Sequence, residues 1–92
     1  MKDKAWSRGS KIRLAPGRHL QRDSADGHFL AGPAGVVQLN ESAAAILALC
    51  DGTRTHDQII ARVLPRSKDD SLAVDVREFL TAARRRGWVI EE

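Results

Sequence analysis

Apolar residues in this chain recur at two different spacings. Between Arg18 and Asn40 they come in short runs separated by turn residues, whereas from Asn40 to Arg86 they return every three or four positions. The first half therefore reads as strands and the second as helices. Pro16-Gly17 precedes Arg18 to Asp23, Asp26-Gly27 separates that run from His28 to Ala31, and Gly32-Pro33 with Gly35 separates the latter from Val36 to Asn40. Three short antiparallel strands in a meander follow, with Asp26-Gly27 suited to positive φ in the first turn. Leu20, Leu30, Val37 and Leu39 fall on the face turned towards the helices, and Val36 and Gln38 on the other.

Leu39 to Gly52 joins the two halves. Asn40 can cap a helix, Glu41 suits its positive end, and Ala43, Ile46, Leu47 and Cys50 form one apolar stripe. Gly52 is expected to stop this helix. Thr53 to Leu64 reads as a second helix, opened by a Thr55/Gln58 capping box, packed through Ile59, Ile60, Val63 and Leu64, and ended by Pro65. Arg66 to Asp70 is a charged connector. A third helix runs from about Ser71 to Arg86 and ends at Gly87, with Leu72, Val76, Phe79, Leu80 and Ala83 as its apolar stripe and Val74 nearly opposite. Asp69 and Asp70 lie at its positive end, and Arg84, Arg85 and Arg86 at its negative end. Trp88-Val89-Ile90 is too apolar for a free tail and is expected to pack back on the domain. The order is three strands, then three helices, an α+β arrangement.

Length allows one small domain, assigned here to residues 12–92. Met1 to Lys11 is polar and basic apart from Ala5 and Trp6, and the default for it is a flexible tail whose aromatic docks loosely or not at all, the alternative being that Trp6 anchors a partner. Fifteen Lys and Arg against twelve Asp and Glu give a net charge of +3, a bias towards acidic partners that does not by itself name nucleic acid. One cysteine makes no intrachain disulfide, and neither a CxxC pair nor a Cys/His cluster points to metal. The chain has no apolar run of membrane-spanning length and no signal-peptide core, so a cytoplasmic protein is expected.

Catalytic chemistry finds no foothold. His19, His28 and His56 are scattered, Cys50 lies on a buried stripe, and the glycines belong to turns rather than to a phosphate cradle. Three helices with a small sheet and a basic helix end suggest a winged-helix nucleic-acid binder. Against this, the hairpin comes before the helices, and the third helix begins with Asp69, Asp70 and Asp75 where a reading helix would meet phosphates. The remaining class is peptide recognition. The last strand of the meander offers unpaired backbone groups, and a cleft between it and the third helix would take an extended peptide as a fourth strand. The same edge could instead be covered by the tail or by a second copy in a homodimer.

The run Leu39 to Leu47, with Asp51-Gly52-Thr53-Arg54-Thr55, Asp75-Val76 and Phe79-Leu80, resembles the PqqD family of pyrroloquinoline quinone biosynthesis. The resemblance extends from about Arg13 to Val89. It implies a RiPP recognition element, a compact winged-helix-like domain with its strands first. It also implies a peptide chaperone that binds the ribosomal precursor PqqA and presents it to the radical S-adenosylmethionine enzyme PqqE, without being an enzyme or holding a cofactor. By position it points to Val36, Val37, Gln38 and Leu39 on the strand and to Asp75, Glu78, Phe79, Ala82, Arg85 and Arg86 on the third helix as the peptide-binding residues. The same motif occurs in recognition domains of other peptide-modifying pathways, which remain an alternative, as does the nucleic-acid reading.

Overall fold

The computed structural model describes residues 6–23, 25, 27–63 and 71–92, the side chains of Ser71 and Leu72 excepted. Its elements are β1 (Lys11–Leu14), β2 (His19–Asp23), β3 (Gly27–Gly32), β4 (Gly35–Leu39), α1 (Glu41–Ala48), β5 (Asp51–Thr55), α2 (His56–Val63), α3 (Ser71–Arg85) and β6 (Val89–Glu91). Two three-stranded antiparallel sheets result, ordered β2-β3-β4 and β5-β1-β6. The first is the expected meander, with Leu20 opposite Leu30 and Leu30 opposite Val37. Leu30 and Leu39 are buried on its inner face, while Val36 on the outer face is 61% exposed. Of the first turn, Gly27 adopts the expected positive φ of 94°, whereas Ser24 and Asp26 lie outside the described residues.

The second sheet corrects the simple order of strands followed by helices. Asp51–Thr55 was expected to end one helix and begin the next, but it is a strand paired with β1. A helix here would leave β1 without its partner, because β1 holds β5 on one side and β6 on the other. Gly52 therefore does not stop α1. That helix closes at Leu49, where Leu49 and Cys50 donate to the carbonyls of Ile46 and Leu47. Gly52 instead takes φ +86° within β5, where the register against β1 slips between Ile12 and Arg13, as in a β-bulge. The start of α1 is as expected, with the Asn40 side chain accepting from Ala43 N–H at 2.7 Å. Leu64, Pro65 and the Arg66 to Asp70 connector lie outside the described residues, as does the side chain of Leu72.

α3 ends one residue before Arg86. Gly87, at φ +77°, donates to Arg84 O and Trp88 N–H donates to Ala83 O at 2.8 Å, the paired bonds of a Schellman close. This reversal buries Trp88 and carries Val89–Glu91 back as β6, so the apolar return packs on the domain as expected and does so as a strand. One core joins the layers. Ile12, Leu30, Leu47, Ile59, Val76, Leu80 and Val89 are essentially inaccessible within a single cluster. Each such side chain stabilises the fold by about 1.5–3 kcal/mol relative to an exposed one. Val74 is 49% exposed, as its position opposite the stripe requires.

Candidate functional site

β4 is an edge strand. Its inner neighbour is β3, and no strand pairs with its other side among the described residues. The two-residue loop Pro33-Ala34 closes on the Gly32 and Gly35 pair, so Leu30 with Val37 repeats that bonded pairing two residues on. Alternation then turns the backbone of Val36 towards the open edge. Of the four strand candidates, Val36 and Val37 expose much of their side chains, Gln38 is exposed, and Leu39 is buried. Leu39 therefore anchors the end of the edge in the core, and any part it takes in a peptide site is through its backbone.

On α3, Asp75 and Glu78 are exposed, Phe79 and Ala82 are half-buried, and Arg85 is exposed. Phe79 packs against the core cluster that also holds Val76, Leu80 and Leu39, so α3 and the end of β4 belong to one packed body. Glu78, Ala82 and Arg85 line a shallow hollow of about 320 Å³ together with Arg77 and Thr81. Arg86 departs from this group, since its guanidinium sits 5.2 Å from the Trp88 ring centroid. The face is mixed in charge, with the Asp75 and Glu78 carboxylates alongside the Arg77 and Arg85 guanidinium groups, so it is not the uniformly basic surface that a duplex requires.

Trp6 lies beside that hollow, in contact with Thr81 of its lining. Expected to dock loosely or not at all, this side chain is stacked on His56 and covered by Arg84. Its indole N–H reaches Thr81 on α3. The stretch ahead of β1 is thus attached from Trp6 onward, and β1 itself begins at Lys11. An isolated tryptophan in a basic run was the signal available, but its partners lie more than forty residues away in sequence.

Cys50 and Asp51 have surroundings that shift their protonation. Burial, and to a lesser degree the neighbouring Asp51 carboxylate, pushes the Cys50 thiol up to about 12. Its S–H points to the Ile46 carbonyl at 3.4 Å. Asp51 binds the Thr53 hydroxyl and N–H and faces Arg54, contacts that hold its carboxyl below the ordinary range. Among the described residues no three His, Cys, Asp or Glu side chains gather in a metal-binding group, and no helix is long and apolar enough to cross a membrane.

Comparison with known proteins bears on both fold and family. The sequence model of the family described as coenzyme PQQ synthesis protein D (PqqD) matches residues 27–89. A protein of Azotobacter vinelandii described as a PqqA binding protein is 46% identical over 63 residues, 67% of this chain and 68% of that one. One of Methylococcus capsulatus with the same description is 35% identical over 81 residues, 87% of each chain. Among solved structures, the PqqD portion of Methylobacterium extorquens PqqCD, a functional and stand-alone RiPP recognition element, superposes with a TM-score of 0.73 at 26% identity, covering 98% of this chain and 99% of that one. Lasso peptide synthetase B1, solved with its leader peptide, superposes with a TM-score of 0.71 at 19% identity over 87% of this chain and 98% of its own, a likeness of fold alone. Matched along most of its length in both sequence and fold, the chain belongs to the PqqD family and has the α+β architecture of a RiPP recognition element.

Proposed function

We propose that this chain is a peptide chaperone of pyrroloquinoline quinone biosynthesis that binds the precursor peptide PqqA as an added strand on β4 and presents it to the radical S-adenosylmethionine enzyme PqqE. The observation that carries this reading is the open edge of β4, held in place by the buried Leu39 and flanked by exposed Val36 and Val37. Backbone bonds to that edge supply generic affinity. Side chains of α3, chiefly Asp75, Glu78, Phe79, Ala82 and Arg85, read the peptide sequence. Two relatives described as PqqA binding proteins support the choice of ligand. The role is one of binding and delivery, without catalysis by the chain itself. In the absence of peptide, the same edge is available to a second copy in a homodimer.

Titration of a 15N-labelled chain with PqqA tests the reading. Amide shifts are expected to cluster on β4 and on α3 from Asp75 to Arg85. Shifts confined to Arg84, Arg85 and Arg86 would reduce the interaction to charge attraction and remove strand addition. Repeating the titration with PqqE present tests delivery, which requires that chain, peptide and enzyme form a ternary complex.

A further inference from the structure

The segment ahead of β1 is fastened to α3 by its one aromatic residue. Trp6 stacks on His56 with ring centroids 5.1 Å apart and planes inclined by 17°. The Arg84 guanidinium lies 4.0 Å from the indole centroid, and the indole N–H donates to Thr81 Oγ1 at 3.4 Å. The next residue extends the attachment, since Ser7 N–H donates to Glu91 Oε1 at 2.8 Å and that oxygen is 3.6 Å from Arg84 Nη1. The Arg84 and Glu91 side chains are only 19% and 17% exposed, so solvent screens this pair less than it would on open surface. Trp6 and Ser7 thereby tie together the start of α2, the last turns of α3, and β6.

Thr81 connects this strap to the candidate peptide site. It accepts the Trp6 N–H, and it also lines the hollow formed with Arg77, Glu78, Ala82 and Arg85. Val76, Leu80 and Ala83 fix the core side of α3, while Thr81 and Arg84 are gripped on its flank. The strap thus restrains the helix about its own axis in a way that the core stripe alone does not.

We infer that Trp6 is a positioning residue of the peptide site, holding α3 in the orientation from which Glu78, Ala82 and Arg85 meet the peptide. The inference rests on the peptide-binding reading above. A helix already held in its bound orientation loses less freedom when a peptide docks on it, so the strap strengthens binding without touching the ligand. Phenylalanine at position 6 keeps the ring for stacking and for the Arg84 cation, and gives up only the N–H.

The test is the PqqA titration on the full-length chain, comparing wild type with Trp6→Ala, Trp6→Phe and Glu91→Gln. Trp6→Ala is expected to weaken binding about tenfold, while Trp6→Phe, which keeps the ring but loses the bond to Thr81, and Glu91→Gln should each weaken it about threefold. The decisive readout is the distribution of peptide-induced amide shifts at saturation. In Trp6→Ala the shifts at Glu78, Ala82 and Arg85 should shrink while those on β4 persist, a split that uniform destabilisation does not produce. Wild-type affinity in a folded Trp6→Ala variant, or equal losses on β4 and α3, would overturn the inference and leave peptide binding intact. If Trp6→Ala does not fold, Glu91→Gln decides by the same split. A wild-type chain that fails to bind the peptide removes the parent reading, and this inference with it.

Discussion

Thr55 and Gln58 satisfy each other's backbone at the start of α2. Gln58 N–H donates to Thr55 Oγ1 at 3.2 Å, and Thr55 N–H donates to Gln58 Oε1 at 2.9 Å. Two of the helix's orphan donors are thereby paired at the junction where β5 becomes α2. Thr55→Ala removes the acceptor for Gln58 and should cost about 1 kcal/mol. In a domain of this size that corresponds to a fall of roughly 4–8 °C in the thermal midpoint. Circular dichroism melts check it, and an unchanged midpoint would deny the box an energetic role.

The same junction shows what the sequence could and could not disclose. The capping box was legible because its two residues are three apart, as were the Asn40 cap and the apolar stripe of α3. The strand immediately before the box was not. Asp51 to Thr55 contains no large apolar residue, and its strand character comes from pairing Arg54 with Ile12 and Thr55 with Lys11, more than forty residues away. β6 has the same origin, since Ile90 finds Arg13 only in the folded chain. Short strands held by distant partners leave no local period to detect. The candidate site divides along the same line, because β4 and the face of α3 follow from local alternation and period whereas Trp6 owes its place to Thr81 and Arg84.

Gly52 is the position at which that hidden strand is most demanding. Its φ of +86° lies in the left-handed region, and a Cβ there would have ordinary contacts, 3.7 Å from Arg13 Cβ and 3.8 Å from Glu92 Oε2. Space is adequate, so the penalty of Gly52→Ala is one of backbone strain, about 1–2 kcal/mol. The denaturant midpoint should fall with an unchanged slope. A gain in stability, as expected for alanine inside a helix, would contradict the strand assignment of Asp51–Thr55.

Cys50 predicts a pH dependence with a definite sign. Its folded-state pKa of about 12 lies above the ordinary thiol value of 9.0, chiefly because burial disfavours the thiolate. Between these values the unfolded chain loses its thiol proton while the folded chain keeps it. This contribution to stability is therefore fully present below pH 9 and is lost as pH rises towards 12. Cys50→Ala should show a shallower decline in stability over that alkaline window than wild type. Near pH 8 a thiol reagent should modify the native chain far more slowly than the unfolded one, and equal rates would place the thiol at the surface.

Strand addition at β4 makes a prediction that distinguishes two adjacent valines. Val37 lies opposite Leu30 in the bonded register set by the Gly32 and Gly35 pair, so its N–H faces β3, whereas the N–H of Val36 faces the open edge. Proline at position 37 removes a bond within the sheet and should cost about 1–3 kcal/mol of stability. Proline at position 36 removes only a donor directed away from β3, which edge strands tolerate. Val36→Pro should therefore remain folded with a midpoint close to wild type, yet bind the precursor peptide about tenfold more weakly, the loss expected from one backbone bond and the bulk of the ring. Calorimetric titration alongside denaturant unfolding gives both quantities for each variant. Wild-type affinity in a folded Val36→Pro chain would show that the peptide does not add to this edge, because an added strand has no other route to the bond that Val36 offers.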